Sequence, residues 1–329
     1  MLKLKYLFEN YGLAKKALEN WEHDTDDLKE MLSRFRISSN AIYPFRRSGE
    51  VCFLRLAPVE EKRKNNVLGE LEFVSWLRAN GYPALEPVCA DSGELCLQLD
   101  TEWGEYYATV FHAVPGAALE AVELSPDVLF AYGKTLGRLH ALSRAYVPQI
   151  RKWNHLDALD WTAETLAAYS ASECMIEEAA ALREALAALP VDTDSYGLVH
   201  YDFEPDNVFY DRDSGCCAVI DFDDGMYHWY ALDVEQALDS LSEQLDEGAM
   251  CAAAQDFCRG YRSERELPDD TDAIRPLMRR FVDLFGYARV LRCVAERFEN
   301  EPEWMAGLRR HLDQILRARE QKVTGRIES

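Results

Sequence analysis

Residues 198–224 constrain this chain more than any other stretch. They read Leu-Val-His-Tyr-Asp-Phe-Glu-Pro-Asp-Asn-Val-Phe-Tyr, a short acidic turn, then Cys-Cys-Ala-Val-Ile-Asp-Phe-Asp-Asp. Val208-Phe209-Tyr210 and Cys217-Ala218-Val219-Ile220 have the character of two short buried strands, and Asp211-Arg212-Asp213-Ser214-Gly215 supplies the turn between them. A hairpin brings its two ends together. Asn207, just before the first strand, is therefore expected beside Asp221, just after the second and 14 positions on. An amide oxygen and a carboxylate can share a hard cation, and two such ligands leave room for the water and phosphate oxygens that magnesium favours. Asp202, in the triplet His200-Tyr201-Asp202, adds a carboxylate able to orient and deprotonate a hydroxyl. Together these are the parts that phosphoryl transfer from ATP requires. A hairpin flanked by Asp and Asn is ordinary on its own, and a lone His-x-Asp is more often structural. The functional reading rests on the conjunction: triplet, Asn spacing, two apolar strands and the Asp-Phe end.

On these residues the segment resembles the catalytic core of the aminoglycoside phosphotransferase and choline kinase superfamily, relatives of the protein kinases. Within it the chain is most similar to the bacterial branch of type II homoserine kinases and RdoA-like stress kinases. The resemblance is carried by His200-Tyr201-Asp202, Asn207, Ile220-Asp221-Phe222-Asp223-Asp224, Asp233 in Tyr-Ala-Leu-Asp-Val, and Leu136-Gly137-Arg138-Leu139-His140. It runs from about residue 35 to about 300, specific in the C-terminal half and loose in the N-terminal half. It implies an α+β, protein-kinase-like two-lobed fold, with a small antiparallel-sheet N-lobe and a larger, mainly helical C-lobe. The division expected is an N-terminal helical segment (1–34), a nucleotide-binding N-lobe (35–114) and a catalytic, substrate-binding C-lobe (115–329). Asp202 would be the catalytic base, and Asn207 and Asp221 the Mg2+ ligands. His200 would support the loop by hydrogen bonding, and Asp233 would cap a helix or brace the loop.

Composition sets outer bounds. The chain has 329 residues, enough for one large domain or two lobes, and 48% hydrophobic content supports a real core. No apolar run approaches membrane-spanning length, and the N-terminus lacks a secretory pattern. The nine cysteines are odd in number and contain no Cys-x-x-C, which fits buried thiols in a reducing cytoplasm. A net charge of −22 argues against a nucleic-acid partner and is compatible with a cationic acceptor, although an acidic surface usually serves solubility alone.

Along the chain, helices are expected over 3–20, 24–35 and 61–78, strands over 41–45, 51–56, 95–99 and 106–111, and a break at Pro115-Gly116. Beyond it, Ser125-Pro126 opens a helix to about 142. Further helices are expected over 157–188, 230–247, 250–263, 269–298 and 303–321.

The N-lobe departs from the family pattern. The strand from Val51 to Leu56 offers Arg55 where the family has lysine, with Glu70 on the next helix as its partner, and a surface ion pair is the competing reading. No Gly-x-Gly-x-x-Gly occurs, and Ser38-Ser39-Asn40 is the candidate replacement. Backbone groups from Thr109 through Phe111 to Ala113 would hold the base. ATP is the expected nucleotide, with GTP left open. Asp223 and Asp224 suit a second ion, a cationic substrate group or plain turn capping. The run Met226-Tyr227-His228-Trp229-Tyr230, with Trp153, Trp161 and Trp304, reads equally as a pocket for a cation and as a core seam. The leading function is a small-molecule kinase acting on the hydroxyl of an amino alcohol, amino acid, sugar or aminoglycoside. A Ser/Thr protein kinase of the RdoA-like type and a non-catalytic nucleotide-binding regulator are the alternatives. Tyr201 in place of the usual arginine and the lack of Ala-Pro-Glu weigh against the protein kinase. Oligomeric state is not legible.

Overall fold

The computed structural model describes residues 1–268 and 270–327. After a single 3-10 turn at Leu4–Tyr6 come two short helices, α1 (Tyr11–Leu18) and α2 (Leu28–Leu32). The continuous helix expected over 3–20 does not form, because the Asn10 side chain accepts from the Leu13 N–H (2.8 Å) and starts a new helix there. The helix expected over 24–35 shrinks to the five residues of α2.

A six-stranded antiparallel sheet follows, built from β1 (Arg36–Ile37), β2 (Ala41–Arg47), β3 (Glu50–Pro58), β4 (Pro87–Val88), β5 (Cys96–Thr101) and β6 (Gly104–His112). Strand order is β1-β2-β3-β6-β4, with β5 also paired to β6. The β2–β3 turn is Ser48-Gly49, both left-handed (φ 53° and 83°), the two-residue geometry that matches the strand twist. Helix α3 (Lys64–Ala79) crosses from β3 and stops at Asn80-Gly81, where Gly81 takes φ 73°. Leu13, Leu18 and Trp21 pack on Leu54, Leu56 and Val110 to close the sheet's other face.

The larger part is mainly helical: α4 (Pro126–Ala145), α5 (His155–Ala168), α6 (Glu173–Ala187), α7 (Ala231–Gln244), α8 (Glu247–Arg262), α9 (Thr271–Val294) and α10 (Glu303–Ile327). The helix expected over 269–298 starts at Thr271 among the described residues, and Asp269 lies outside them. The single helix expected over 157–188 is two. Ser170 adopts φ 54°, with Ala171 N–H bonded to Leu166 C=O (2.9 Å), a helix-ending turn that usually takes glycine. Helices α4 and α8 meet backbone to backbone: a Cβ on Gly133 would lie 1.9 Å from the Phe257 carbonyl oxygen. No described helix is long and apolar enough to cross a membrane.

Five short strands complete the chain: β7 (Ala117–Ala118), β8 (Tyr196–Val199), β9 (Val208–Asp211), β10 (Cys216–Val219) and β11 (Met226–Trp229). Met226–Trp229 of the aromatic run form β11, paired with β8. Met226, Trp229 and Tyr230 lie in a core with Phe281 and Phe285, so the core-seam reading holds for them. The two lobes are stitched at β10, where Val219 donates to Pro83 C=O and accepts from Leu85 N–H (2.9 Å each).

Candidate active site

The hairpin forms in the expected register. Val208 faces Val219 and Cys216 faces Asp211, and the Ile220 N–H donates to the Asn207 carbonyl (3.0 Å). Asn207 and Asp221 are thereby brought together. The Asn207 amide donates to the main-chain carbonyl of Asp202 (3.0 Å) and to its Oδ2 (2.9 Å), which leaves the amide oxygen as the end that can meet a cation. Asp221 takes a left-handed φ of 62°, and among the described residues its carboxylate accepts no hydrogen bond. Burial raises its affinity for a proton well above the ordinary range. The Asp223, Asp202 and Asp224 carboxylates add to this, and Arg55 opposes it. A half-buried carboxylate without a donor, beside an amide oxygen, fits a hard cation. No cluster of three or more His, Cys, Asp or Glu side chains able to hold a metal occurs among the described residues. Burial, with help from Asp224 and against Arg289, pushes the Asp202 carboxyl up to about 6.

The loop carrying Asp202 is braced from below. His200 is fully buried, and its Nδ1 accepts from the Asp202 N–H (3.2 Å), so Nε2 carries the proton and donates to the Ile220 carbonyl (2.9 Å). Burial keeps the ring neutral. His200 thus ties the Asp202 loop to the hairpin, with both ring nitrogens engaged. Asp233 accepts from the His200 and Tyr201 N–H groups (2.8 Å each) and from His140 Nε2 (3.0 Å), while His140 Nδ1 meets the Tyr261 hydroxyl (2.9 Å). One buried carboxylate therefore holds Tyr201 in its left-handed conformation (φ 73°). Asp233→Ala strands two buried N–H groups at about 1–3 kcal/mol each. Denaturant titration should show a loss of roughly 3 kcal/mol or more; a loss under about 1 kcal/mol would contradict the bracing role.

On the sheet, Arg55 and Glu70 are buried and make a bidentate pair, Nη1–Oε1 2.8 Å and Nη2–Oε2 2.6 Å, which rules out the surface-pair reading. Arg55 Nε donates to Thr109 Oγ1 (3.2 Å), and the guanidinium lies over the Phe111 ring (4.9 Å). A cleft of about 450 Å³ opens beside them, with Phe53, Phe111 and Phe209 as apolar walls and Asp202, Asn207 and Asp221 at its polar end. Phe111 and Ala113 line it. Thr109 does not: it sits mid-sheet between Arg55 and Cys96 and serves Arg55. The Ala113 N–H is already bonded to Val51 C=O (3.0 Å). Ser38, Ser39 and Asn40, the turn between β1 and β2, also line the cleft.

Sequence reasoning missed the cations around the acidic run. Asp223 accepts from Asn40 Nδ2 (2.7 Å) and pairs with Lys62. Burial opposes ionisation there, but Lys62 and Arg55 prevail and hold the carboxyl well below its usual range. Asp224 pairs with Arg289 (2.7 Å), which also donates to Ser39 Oγ (3.1 Å). Both acids are thus engaged by the protein's own cations. Lys152, likewise missed, donates to the Phe222 (2.8 Å) and Asp223 (3.0 Å) carbonyls. A second cavity, about 330 Å³, lies on this side, walled by Trp153, Trp161, Phe285 and Arg289 beside Asp223 and Asp224. Trp304 is not part of it: it is 47% exposed and packs edge-on against Phe8.

The chain was compared with known proteins. Residues 37–267 match the model of the phosphotransferase enzyme family. The chain is 23% identical to amicoumacin kinase of Bacillus subtilis (strain 168) over 94% of each protein. It is 30% identical to homoserine kinase of Caulobacter sp. (strain K31) over 64% of each, just under two thirds. Its fold is similar to that of an amicoumacin kinase solved with AMP-PNP, Ca2+ and Ami (TM-score 0.78, 21% identity, 97% of this chain and 95% of that one). It is also similar to a microcompartment-associated aminopropanol kinase (TM-score 0.66, 20% identity, 96% and 98%).

Proposed function

Given that the chain belongs to the phosphotransferase enzyme family and is a kinase, we propose that it moves the γ-phosphate of ATP, held with magnesium, to the hydroxyl of a small molecule. The observation that carries this is the shared hydrogen bonding of Asn207 and Asp202 beside Asp221. Residues 35–114 would form the nucleotide lobe and 115–329 the catalytic and acceptor lobe.

Asp202 accepts the acceptor's proton as the oxygen bonds to the γ-phosphorus and the bond to the β,γ-bridging oxygen breaks to release ADP; its raised proton affinity suits that task. Asn207 and Asp221 would hold the cation, which when bound neutralises phosphate charge. Arg55, fixed by Glu70 and Thr109, supplies a second positive charge at the cleft. The base would lie among Phe53, Phe111 and Phe209. The acceptor's hydroxyl would enter the larger cleft, where Asp202 lies. Homoserine and aminopropanol, named in the relatives, each carry a hydroxyl and an amine, so amino alcohols and hydroxy amino acids are the first acceptors to try.

The test is transfer of labelled γ-phosphate from ATP and from GTP, with magnesium, to panels of amino alcohols, hydroxy amino acids, aminoglycosides, amicoumacin and protein. Labelled metabolite is the expected product. Label on protein alone would favour the stress-kinase reading, and nucleotide binding with no acceptor on any panel would favour a regulator.

A further inference from the structure

Lys152 is 3% exposed, and both of its hydrogen bonds go to main-chain carbonyls, those of Phe222 and Asp223 in the turn that follows Asp221. Among the described residues no carboxylate lies within ion-pairing distance of it. A buried ammonium is costly, and two carbonyls compensate it poorly, so ordinary packing does not explain it. Its stem lies against α3: a Cβ on Gly69 would sit 2.9 Å from Lys152 Cγ and 2.8 Å from the Ile150 carbonyl oxygen. The same segment is bound to α3 on either side. Glu72 accepts from the Gln149 (2.7 Å) and Ile150 (2.9 Å) N–H groups, and Asn66 accepts from the Trp153 N–H (3.0 Å). Gly69 is the neighbour of Glu70, which grips Arg55. At its other end the Lys152 ammonium reaches the turn from Phe222 to Gly225, closed by the Gly225 N–H to Phe222 C=O bond (3.2 Å).

We propose that Lys152 is a positioning residue that clamps the helix carrying Glu70 to the turn that follows Asp221, so that the phosphate grip of Arg55 and the cation ligand are set as one unit. The inference rests on the kinase reading above. A loosened clamp leaves each half intact but lets Asp221 drift from the phosphates that Arg55 holds. Its signature is a loss confined to magnesium-dependent nucleotide binding.

The experiment measures AMP-PNP affinity by calorimetry, with magnesium and in EDTA, for wild type, Lys152→Met and Lys152→Gln. Partners that orient a metal ligand are worth about 10–100-fold in affinity. Lys152→Met is expected to lose at least about tenfold with magnesium and little in EDTA. Lys152→Gln, which keeps a donor for one carbonyl, should fall between, and it alone decides the matter if the methionine variant does not fold. Unchanged affinity, or an equal loss with and without magnesium, overturns the clamp while leaving the kinase reading standing. Wild type that shows no magnesium-dependent AMP-PNP binding overturns both.

Discussion

Asp202→Asn is expected to remove phosphate transfer almost completely, by about 10²–10⁴-fold in kcat, the usual worth of a positioned base. Nucleotide affinity and stability should survive. Asparagine keeps the shape and an oxygen for Asn207 to bond, but it cannot take a proton at neutral pH. The substitution also removes one negative charge from a site that holds Asp221, Asp223 and Asp224, so the variant should not unfold earlier in metal-free buffer. A KM for nucleotide close to wild type with collapsed kcat identifies a base. Retained turnover would remove Asp202 from the chemistry.

Asp221→Asn should abolish the stabilisation that ATP gives only in the presence of magnesium. A ligand at 100 times its Kd stabilises the folded state by about 2.7 kcal/mol, on the order of 5 °C in Tm for a chain of this size. Asparagine is the right replacement here because Asp221 sits at φ 62°, where asparagine is tolerated and alanine is strained. Turnover should fall by about 10³-fold or more, since the phosphates lose their neutralising cation. A full magnesium-dependent shift in Asp221→Asn would mean that the cation is held elsewhere.

The hairpin was legible because everything that shapes it is local. Strand residues, turn residues and polar ends lie within residues 207–221, and pairing through Val208 and Val219 does the rest. Arg55 and Glu70 were legible for a similar reason, as a strand and the helix that follows it. The fates of Asp223 and Asp224 were not. They are decided by Lys62, Asn40 and Arg289, which come from other elements, one of them 183 positions away. Lys152 carries no pattern at all: a single lysine before a helix looks solvated until the fold places it under the Phe222 carbonyl. Ser170 broke a helix in the conformation where glycine is the usual marker, so the break left no trace in residue type. The aromatic run 226–230 was ambiguous because core and binding site use the same rings, and only its pairing with β8 assigns most of it to the core.

The stitch at Val219 makes breathing and chemistry inseparable. Pro83 and Leu85 grip that residue from the sheet side, and Asp221 lies two positions further along the same strand direction. A small lobe that rocks open at this edge must drag the strand with it or break the stitch, and either event moves the carboxylate meant for the cation. If Asp221 holds the cation as proposed, an opened molecule has lost the charge that readies phosphate for transfer.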